Sequence, residues 1–343
     1  MRSVLCRVDG GPSVGLGHLQ RCLSLAEALR RQGMTVLFLA QESVDVRARV
    51  DEAGFKFLSS SWDSSDAGGS RDQDGVIAAA SMHGCECVIL DSYHIDSEYI
   101  SAVRHAGFIT IVVDDLAAHP FAAHLVVNGA AGSESLPYRS SVGDTIFLLG
   151  PNYAPLHTVF WDAPARVPSP TVNRILVTVG GADAVQALQP ILRSVDTVPA
   201  PFSVTAVIGP FADVNTLESV PGAYCHRLTV ARAPHHLRDL MAEADLAVSA
   251  GGQTLYELAA CGIPTVAVQV SDNQRFNVRC LAAARVVRDG GRVEESDFES
   301  RLSQIVTELI GDRGQRARMS KDGRRLVDGR GAARVAEAVA ALG

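Results

Sequence analysis

The chain has 343 residues, 47% of them hydrophobic and 20% charged, with a formal net charge of −7. That length and composition suit two packed domains of a globular protein, and the acidic balance, without a basic run, argues against a nucleic-acid partner. No run of 18 apolar residues suggests a membrane span, Arg7 and Asp9 interrupt the one apolar stretch that could act as a leader peptide, and seven scattered cysteines read as free thiols of a cytoplasmic protein.

Strand and helix patterns alternate along the chain, which predicts parallel sheets flanked by helices. In the first half, strands are expected near 3–9, 34–40, 55–58, 87–91, 109–113 and 124–127, with helices near 18–32, 43–53, 74–83 and 96–106. The Ser/Gly/Asp-rich stretch 59–74 reads as a loop. Residues 161–173 carry three prolines and read as a linker, which divides the chain into domains 1–160 and 174–343. The pattern then restarts, with strands near 174–179, 203–208, 223–227, 245–249, 264–268 and 285–287. The predicted architecture is α/β: two Rossmann-like, doubly wound parallel-sheet domains facing a cleft.

The segment Val14-Gly15-Leu16-Gly17-His18 lies between the first strand and the first helix. A Gly-rich loop leading into a helix offers backbone N–H groups and a positive helix end to an anion. A dinucleotide fingerprint fits poorly, because Gln20 stands where the third glycine belongs, although Glu42 could serve as a ribose acid. His18 adds what that fingerprint does not explain, a group able to move a proton near neutral pH.

Ligands of such sheets bind outside the carboxyl ends of the strands. In the first domain those ends offer Asp9, Gly17 and His18, then Asp91-Ser92-Tyr93-His94, then Asp114-Asp115. In the second they offer Gly180-Gly181-Ala182-Asp183, Gly251-Gly252-Gln253-Thr254 with Glu257 one turn on, and Asn273-Gln274. Asp9 and Asp91 read equally as structural groups or as site groups. The Tyr93 hydroxyl can orient a small molecule, whereas His94, His235 and His236 read as surface or capping groups. Asp114-Asp115 invites a metal, but adjacent strand residues point to opposite faces, and neither this pair nor Cys85 and Cys87 finds a complete ligand set. Gly180-Gly181 and Gly251-Gly252-x-Thr254 suit a diphosphate, and Glu257 suits the two hydroxyls of a ribose.

The combined pattern resembles the GT-B superfamily of nucleotide-sugar enzymes. Within it, Arg7-x-Asp9, Gly15-x-Gly17-His18, Arg21-Cys22-Leu23, Ile89-Leu90-Asp91-Ser92-Tyr93, Val113-Asp114-Asp115, Gly150-Pro151-Asn152-Tyr153-Ala154, Gly180-Gly181-Ala182-Asp183 and Asn273-Gln274 resemble the UDP-2,4-diacetamido-2,4,6-trideoxy-β-L-altropyranose hydrolases of pseudaminic acid biosynthesis, a pathway that decorates flagella and other surface glycans. A more distant resemblance is to the UDP-N-acetylglucosamine transferase of peptidoglycan lipid synthesis.

The resemblance implies His18 as general base, with Tyr93 and Asp9 beside it. It also implies a UDP-sugar held by Gly17, Gly181, Asp183, Gly251, Gly252, Thr254, Glu257, Asn273 and Gln274. His157 stands where the family tends to place an arginine. The implied reaction is attack of water on the anomeric carbon with inversion, releasing UDP without metal or cofactor, and no nucleic-acid or membrane partner. The alternative is a transferase in which His18 deprotonates an acceptor hydroxyl, and a third reading is a nucleotide-sugar binding protein without turnover.

Overall fold

Apolar runs of four to six residues, bounded by glycine turns, build two all-parallel sheets. A computed structural model describes residues 2–11, 14–164, 167–180, 185–209, 227–232 and 237–342. The chain divides into two units, one comprising residues 1–158 and 330–343 and the other residues 159–329.

The first unit runs β1 (Ser3–Val8), α1 (Gly17–Arg31), β2 (Thr35–Ala40), α2 (Val44–Glu52), β3 (Lys56–Ser59), α3 (Ser70–Met82), β4 (Cys87–Asp91), α4 (Ser97–His105), β5 (Ile109–Val113), β6 (Leu125–Asn128) and β7 (Ile146–Leu149). Its strand order is β3-β2-β1-β4-β5-β6-β7. The order reverses between β1 and β4, and such a switch point opens a crevice at the carboxyl ends of the strands. Strands β1 and β4 are buried almost throughout, as parallel strands covered on both faces must be, yet each carries a buried charge near its end, Arg7 and Asp91.

Helix α1 owes its position to the spacing of Leu19, Cys22, Leu23, Ala26 and Leu29, which makes one apolar face. It ends in a Schellman arrangement: Gly33, at φ +80°, donates to the Arg30 carbonyl, and Met34 donates to that of Leu29. Arg30 and Arg31 in its last turn complement the helix dipole.

The second unit runs β8 (Arg174–Thr178), α5 (Val185–Asp196), β9 (Ser203–Ile208), β10 (Arg227–Arg232), α6 (Leu237–Glu243), β11 (Leu246–Ala250), α7 (Thr254–Cys261), β12 (Thr265–Gln269), α8 (Gln274–Ala283), β13 (Val287–Arg292), α9 (Phe298–Gly311) and α10 (Arg313–Leu326). Its order, β10-β9-β8-β11-β12-β13, reverses between β8 and β11. Ile175, Val177, Val204, Ala206, Val248 and Val266 of the sheet pack with Leu188, Ile191 and Leu192 of α5 and Leu302 and Val306 of α9 in one core. The expected fold class, two doubly wound α/β units, is therefore the observed one.

Several elements differ from expectation. Strand β7, the apolar run Ile146–Leu149, was not among the expected strands; it is an edge strand with Ile146 exposed. Strand β13 runs on through Asp289-Gly290-Gly291 because a Cβ on Gly290 would meet Val266 at 3.0 Å, a close approach that glycine alone makes easily. Of the strand expected near 223–227, residues 223–226 lie outside the described residues. The proline-rich stretch 161–173 is strapped to the second unit: buried Arg316 of α10 donates to the Ser169 and Pro170 carbonyls, and Arg324 donates to those of Ala163 and Pro164.

The last helix, α11 (Gly331–Ala340), packs on α1 and belongs with the first unit, a return that the sequence pattern leaves open. Ala154, in the Gly150–Ala154 motif, is wedged between two glycines. A Cβ on Gly129 would lie 2.4 Å from the Ala154 Cα, and one on Gly331 would lie 2.2 Å from the Ala154 carbonyl oxygen. The motif thus serves as the seat for the returning helix. Replacing Gly331 by valine is expected to destabilise the first unit by about 1–3 kcal/mol, the usual cost of overpacking. Chemical denaturation checks this, and a loss below about 0.5 kcal/mol, the range of an ordinary surface substitution, would refute the wedge.

Candidate active site

The switch point of the first unit gathers five side chains around one buried carboxylate. Asp91 ends β4 and is fully buried. Its Oδ1 lies 2.6 Å from His18 Nδ1 and 2.6 Å from Arg21 Nη2, while Oδ2 accepts from Arg21 Nε at 2.6 Å and from the Cys22 thiol at 3.2 Å. Burial alone would push this carboxyl up, but Arg21 and His18 outweigh it and hold Asp91 well below the usual carboxylate range. His18, Arg21 and Cys22 reach one point because positions i, i+3 and i+4 share a helix face.

Arg21 bridges two carboxylates, since its Nη1 donates to Asp115 at 2.7 Å. The same Asp115 oxygen accepts from the Tyr93 hydroxyl at 2.9 Å. The Tyr93 ring in turn meets the His18 ring edge-on, with centroids 4.6 Å apart. Burial, and then the Asp115 charge, raise the Tyr93 phenol above its ordinary range, so it acts as a neutral donor. A carboxylate 2.6 Å from Nδ1 fixes the proton on that nitrogen, which leaves Nε2 of His18 as the basic atom, with no hydrogen-bond partner among the described residues.

Asp9 is not aimed at His18. Its backbone N–H donates to the Asp91 carbonyl, and its carboxylate accepts from Arg7 at 2.5 Å. Buried Arg7 also pairs with buried Asp72 of α3, which accepts from the Tyr99 hydroxyl and the Gly68 N–H. Asp114 and Asp115 part company as their adjacency predicts. The Asp114 Oδ1 accepts the Leu116 and Ala117 N–H groups and the Tyr138 hydroxyl, while Asp115 faces Arg21 and Tyr93. Among the described residues no cluster of His, Cys, Asp and Glu has the makings of a metal site.

Gly17 opens α1, whose N-terminus no side chain caps. Gly11 and Gly15 spend their N–H groups on each other's carbonyls across the loop, so the anion donors expected there narrow to the first turn of α1. Glu42 is taken by Arg47 in an exposed ion pair rather than held for a ribose. His94 is exposed, and His157 is half-buried in the segment after the Pro151–Tyr153 turn.

In the second unit, Gly251 follows β11, and Gly252 leads into α7, which begins at Thr254. Gln274, expected as a ligand group, has its side-chain oxygen occupied by the Gly251 and Val270 N–H groups, both at 3.1 Å, and so staples the ends of β11 and β12 together. A Cβ on Gly251 would meet Val278 at 2.6 Å, so this glycine is required by packing, whereas one on Gly252 would meet nothing. Asn273 precedes α8 and accepts from the Ser271 hydroxyl at 2.6 Å. Half-buried Glu257 has no hydrogen-bond or ion-pair partner among the described residues, and burial pushes its carboxyl up to about 7. Gly181, Asp183, His235 and His236 lie outside the described residues.

Arg21 and the Asn277–Tyr256 pair that braces Gly251 were not singled out by sequence as site residues, and Asp115, weighed there only with Asp114 for a metal, instead holds Arg21. For Arg21 a signal existed, its i+3 spacing from His18. Asp115 was placed at a strand's carboxyl end by the sequence pattern, but its partners come from other elements.

No protein-family model matches the chain. The chain is 25% identical to the spore coat polysaccharide biosynthesis protein SpsG of Bacillus subtilis, over 95% of this chain and 94% of that protein. It is also 25% identical to the uncharacterized protein MJ1062 of Methanocaldococcus jannaschii over 78% of its own length, and it spans only about half, 55%, of that relative. Among solved structures, Acinetobacter baumannii MurG superposes with a TM-score of 0.69 at 17% identity, over 99% of both chains. The Streptomyces glycosyltransferase SsfS6, complexed with thymidine diphosphate, gives 0.62 at 17% identity over 99% of both chains. Phytolacca americana UGT2, complexed with UDP-2fluoro-glucose and pterostilbene, gives 0.68 at 11% over 100% of this chain and 99% of that one. The fold is that of the GT-B glycosyltransferases.

These neighbours overturn the expectation of a hydrolase. They include glycosyltransferases by name, SsfS6 and the calicheamicin enzyme CalG4 among them. The physical reason the sequence misled is that one imidazole activates water and an acceptor hydroxyl alike.

Glu257 makes stability pH-dependent with a definite sign. Its ordinary value is 4.5 and its folded value about 7, so the folded protein binds more protons between those limits. The second unit should therefore lose stability as pH rises from 4.5 to 7 and be level above, a slope that Glu257→Gln removes. Equal slopes in urea titrations of the two proteins across that window would count against it.

Proposed function

We propose that this protein is a glycosyltransferase that moves a sugar from a UDP-activated donor to an acceptor hydroxyl in the assembly of a surface polysaccharide. The observation that carries the reading is His18, its Nδ1 held 2.6 Å from buried Asp91 and its Nε2 left to take a proton. Similarity to a spore coat polysaccharide biosynthesis protein supports the polysaccharide context. The set of motifs shared with enzymes of acetamido deoxy-sugars favours a donor of that class. No helix among the described residues is long and apolar enough to cross a membrane, and six cysteines among those residues are free, which favours work in the cytoplasm.

Nε2 takes the proton of the acceptor hydroxyl as its oxygen attacks the anomeric carbon. The C–O bond to the diphosphate breaks, UDP leaves with the electron pair, and the configuration inverts. Asp91 stabilises the imidazolium that forms and keeps the ring aimed. In this reading the diphosphate rests on the uncapped N-terminus of α7 and the backbone at Gly252, with Gly181 and Thr254 assigned to the same group. The ribose falls to Glu257, the acid of the α7 first turn, whose carboxylate, unpaired among the described residues, accepts the two hydroxyls. Asn273 and His157 are assigned to the donor, whereas Gln274 acts through Gly251.

His18→Asn should fold and bind UDP but lower transfer by about two to four orders of magnitude, the usual worth of a general base. Purified protein with UDP-sugars and candidate acceptors, followed by UDP release with and without acceptor, tests this. Activity within about threefold of wild type would remove His18 from the mechanism, since that lies far below the loss of a general base. Because ribose hydroxyls donate to an ionised acid, UDP should bind more tightly as pH rises through 7, and Glu257→Gln should flatten that dependence. Calorimetry showing the same pH dependence in both proteins would reject the ribose role. Full activity is expected in EDTA, because Asp114 and Asp115 are engaged by separate partners.

A further inference from the structure

Arg21 is the one cation that touches both members of the His18–Asp91 pair among the described residues. Its guanidinium forms a fork on Asp91, with Nε and Nη2 each 2.6 Å from a different carboxylate oxygen, and the same Nη2 lies 3.1 Å from His18 Nδ1. Because Nδ1 carries a proton for Asp91, Arg21 cannot donate to it. The contact is therefore one positive fork facing the ring edge, and a proton gained at Nε2 would put a second positive charge against it.

We propose that Arg21 is a positioning residue that keeps His18 neutral, and hence basic, by offsetting the pull of Asp91. A carboxylate bonded to an imidazole favours the charged ring, which would fill Nε2 with a proton before the acceptor arrives. The bidentate guanidinium sets a positive charge against that pull while leaving the carboxylate in place to aim the ring. Asp115 holds the free end of Arg21 at 2.7 Å, which keeps the fork in register.

The groups facing His18 come from several elements. Arg21 and Cys22 lie on α1, Asp91 at the end of β4, Tyr93 in the loop after it and Asp115 in the loop after β5. Asp9, at the end of β1, is turned to Arg7. Tyr93 is a neutral donor bound to Asp115, and burial raises the Cys22 thiol well above its ordinary range, so neither adds charge at neutral pH. Asp91, Arg21 and Asp115 are the charged groups linked to the ring's surroundings.

The inference rests on the reading of His18 as base, but its test needs no substrate. The pH midpoint of the His18 ring signal is followed by NMR in the full-length protein carrying ¹³C-labelled histidine, with His18→Asn identifying the signal. Arg21→Gln should raise the midpoint by about one pH unit or more, the size of effect a neighbouring charge exerts. Arg21→Lys, which keeps the charge, should stay within about half a unit of wild type, a small part of that effect. An unchanged midpoint in Arg21→Gln, or an equal rise in Arg21→Lys, overturns the proposal.

If Arg21→Gln does not fold, Asp91→Asn is compared with the double variant Asp91→Asn/Arg21→Gln, which buries no unpaired charge. The single variant should titrate about one unit or more below the double, because only it retains the opposing cation. Equal midpoints overturn the proposal. A shifted NMR midpoint with no transferase activity would retain Arg21's role while rejecting the function assigned above.

Discussion

Asp91 is the carboxylate on which the candidate site depends. It ends an apolar strand at the point where the sheet reverses its order, and there it meets His18, Arg21 and Cys22 from a single helix. A buried carboxylate without partners is costly, so every group that satisfies it is also fixed by it. The helix register, the imidazole orientation and the guanidinium fork are thus one arrangement. Through Arg21 it extends to Asp115 and the Tyr93 hydroxyl, so that one helix and two loops are tied to one anion.

Glu257 in the second unit presents the opposite case. It sits in the first turn of α7, partly buried, and nothing among the described residues pairs with it. Asp91 is held ionised by its neighbours, whereas Glu257 is pushed up to about 7 by burial. A fully paired carboxylate is suited to hold a framework, and an unpaired one is suited to receive hydroxyl donors. The two carboxylates thus differ in the company they keep, and Gly251, before α7, is braced by Gln274 and Asn277.

The distinction between hydrolysis and transfer shows where residue patterns lose their force. Base, leaving group and inversion are shared by the two reactions, and only the molecule that delivers the oxygen differs. That molecule is chosen by surfaces shaped in three dimensions, not by the spacing of a histidine from a glycine. The solved structures that share this fold include glycosyltransferases, whereas the motifs alone had pointed to a hydrolase.

The sequence by itself determined the two parallel sheets, the glycine loops at their carboxyl ends and the prominence of His18, because apolar periodicity and glycine placement act over a few residues. It also placed Glu257 and Thr254 at the start of a helix. Tertiary structure alone decided that Asp115 reaches Arg21, that Asp9 is given to Arg7, and that Gln274 is a staple, since each depends on partners from distant elements. It alone returned α11 to the first unit, seated by Gly331 on Ala154 from the far side of the second unit's sequence. The strand through Gly290-Gly291 was hidden because its local chemistry reads as loop, and the sheet it completes supplies the hydrogen bonds that make it a strand.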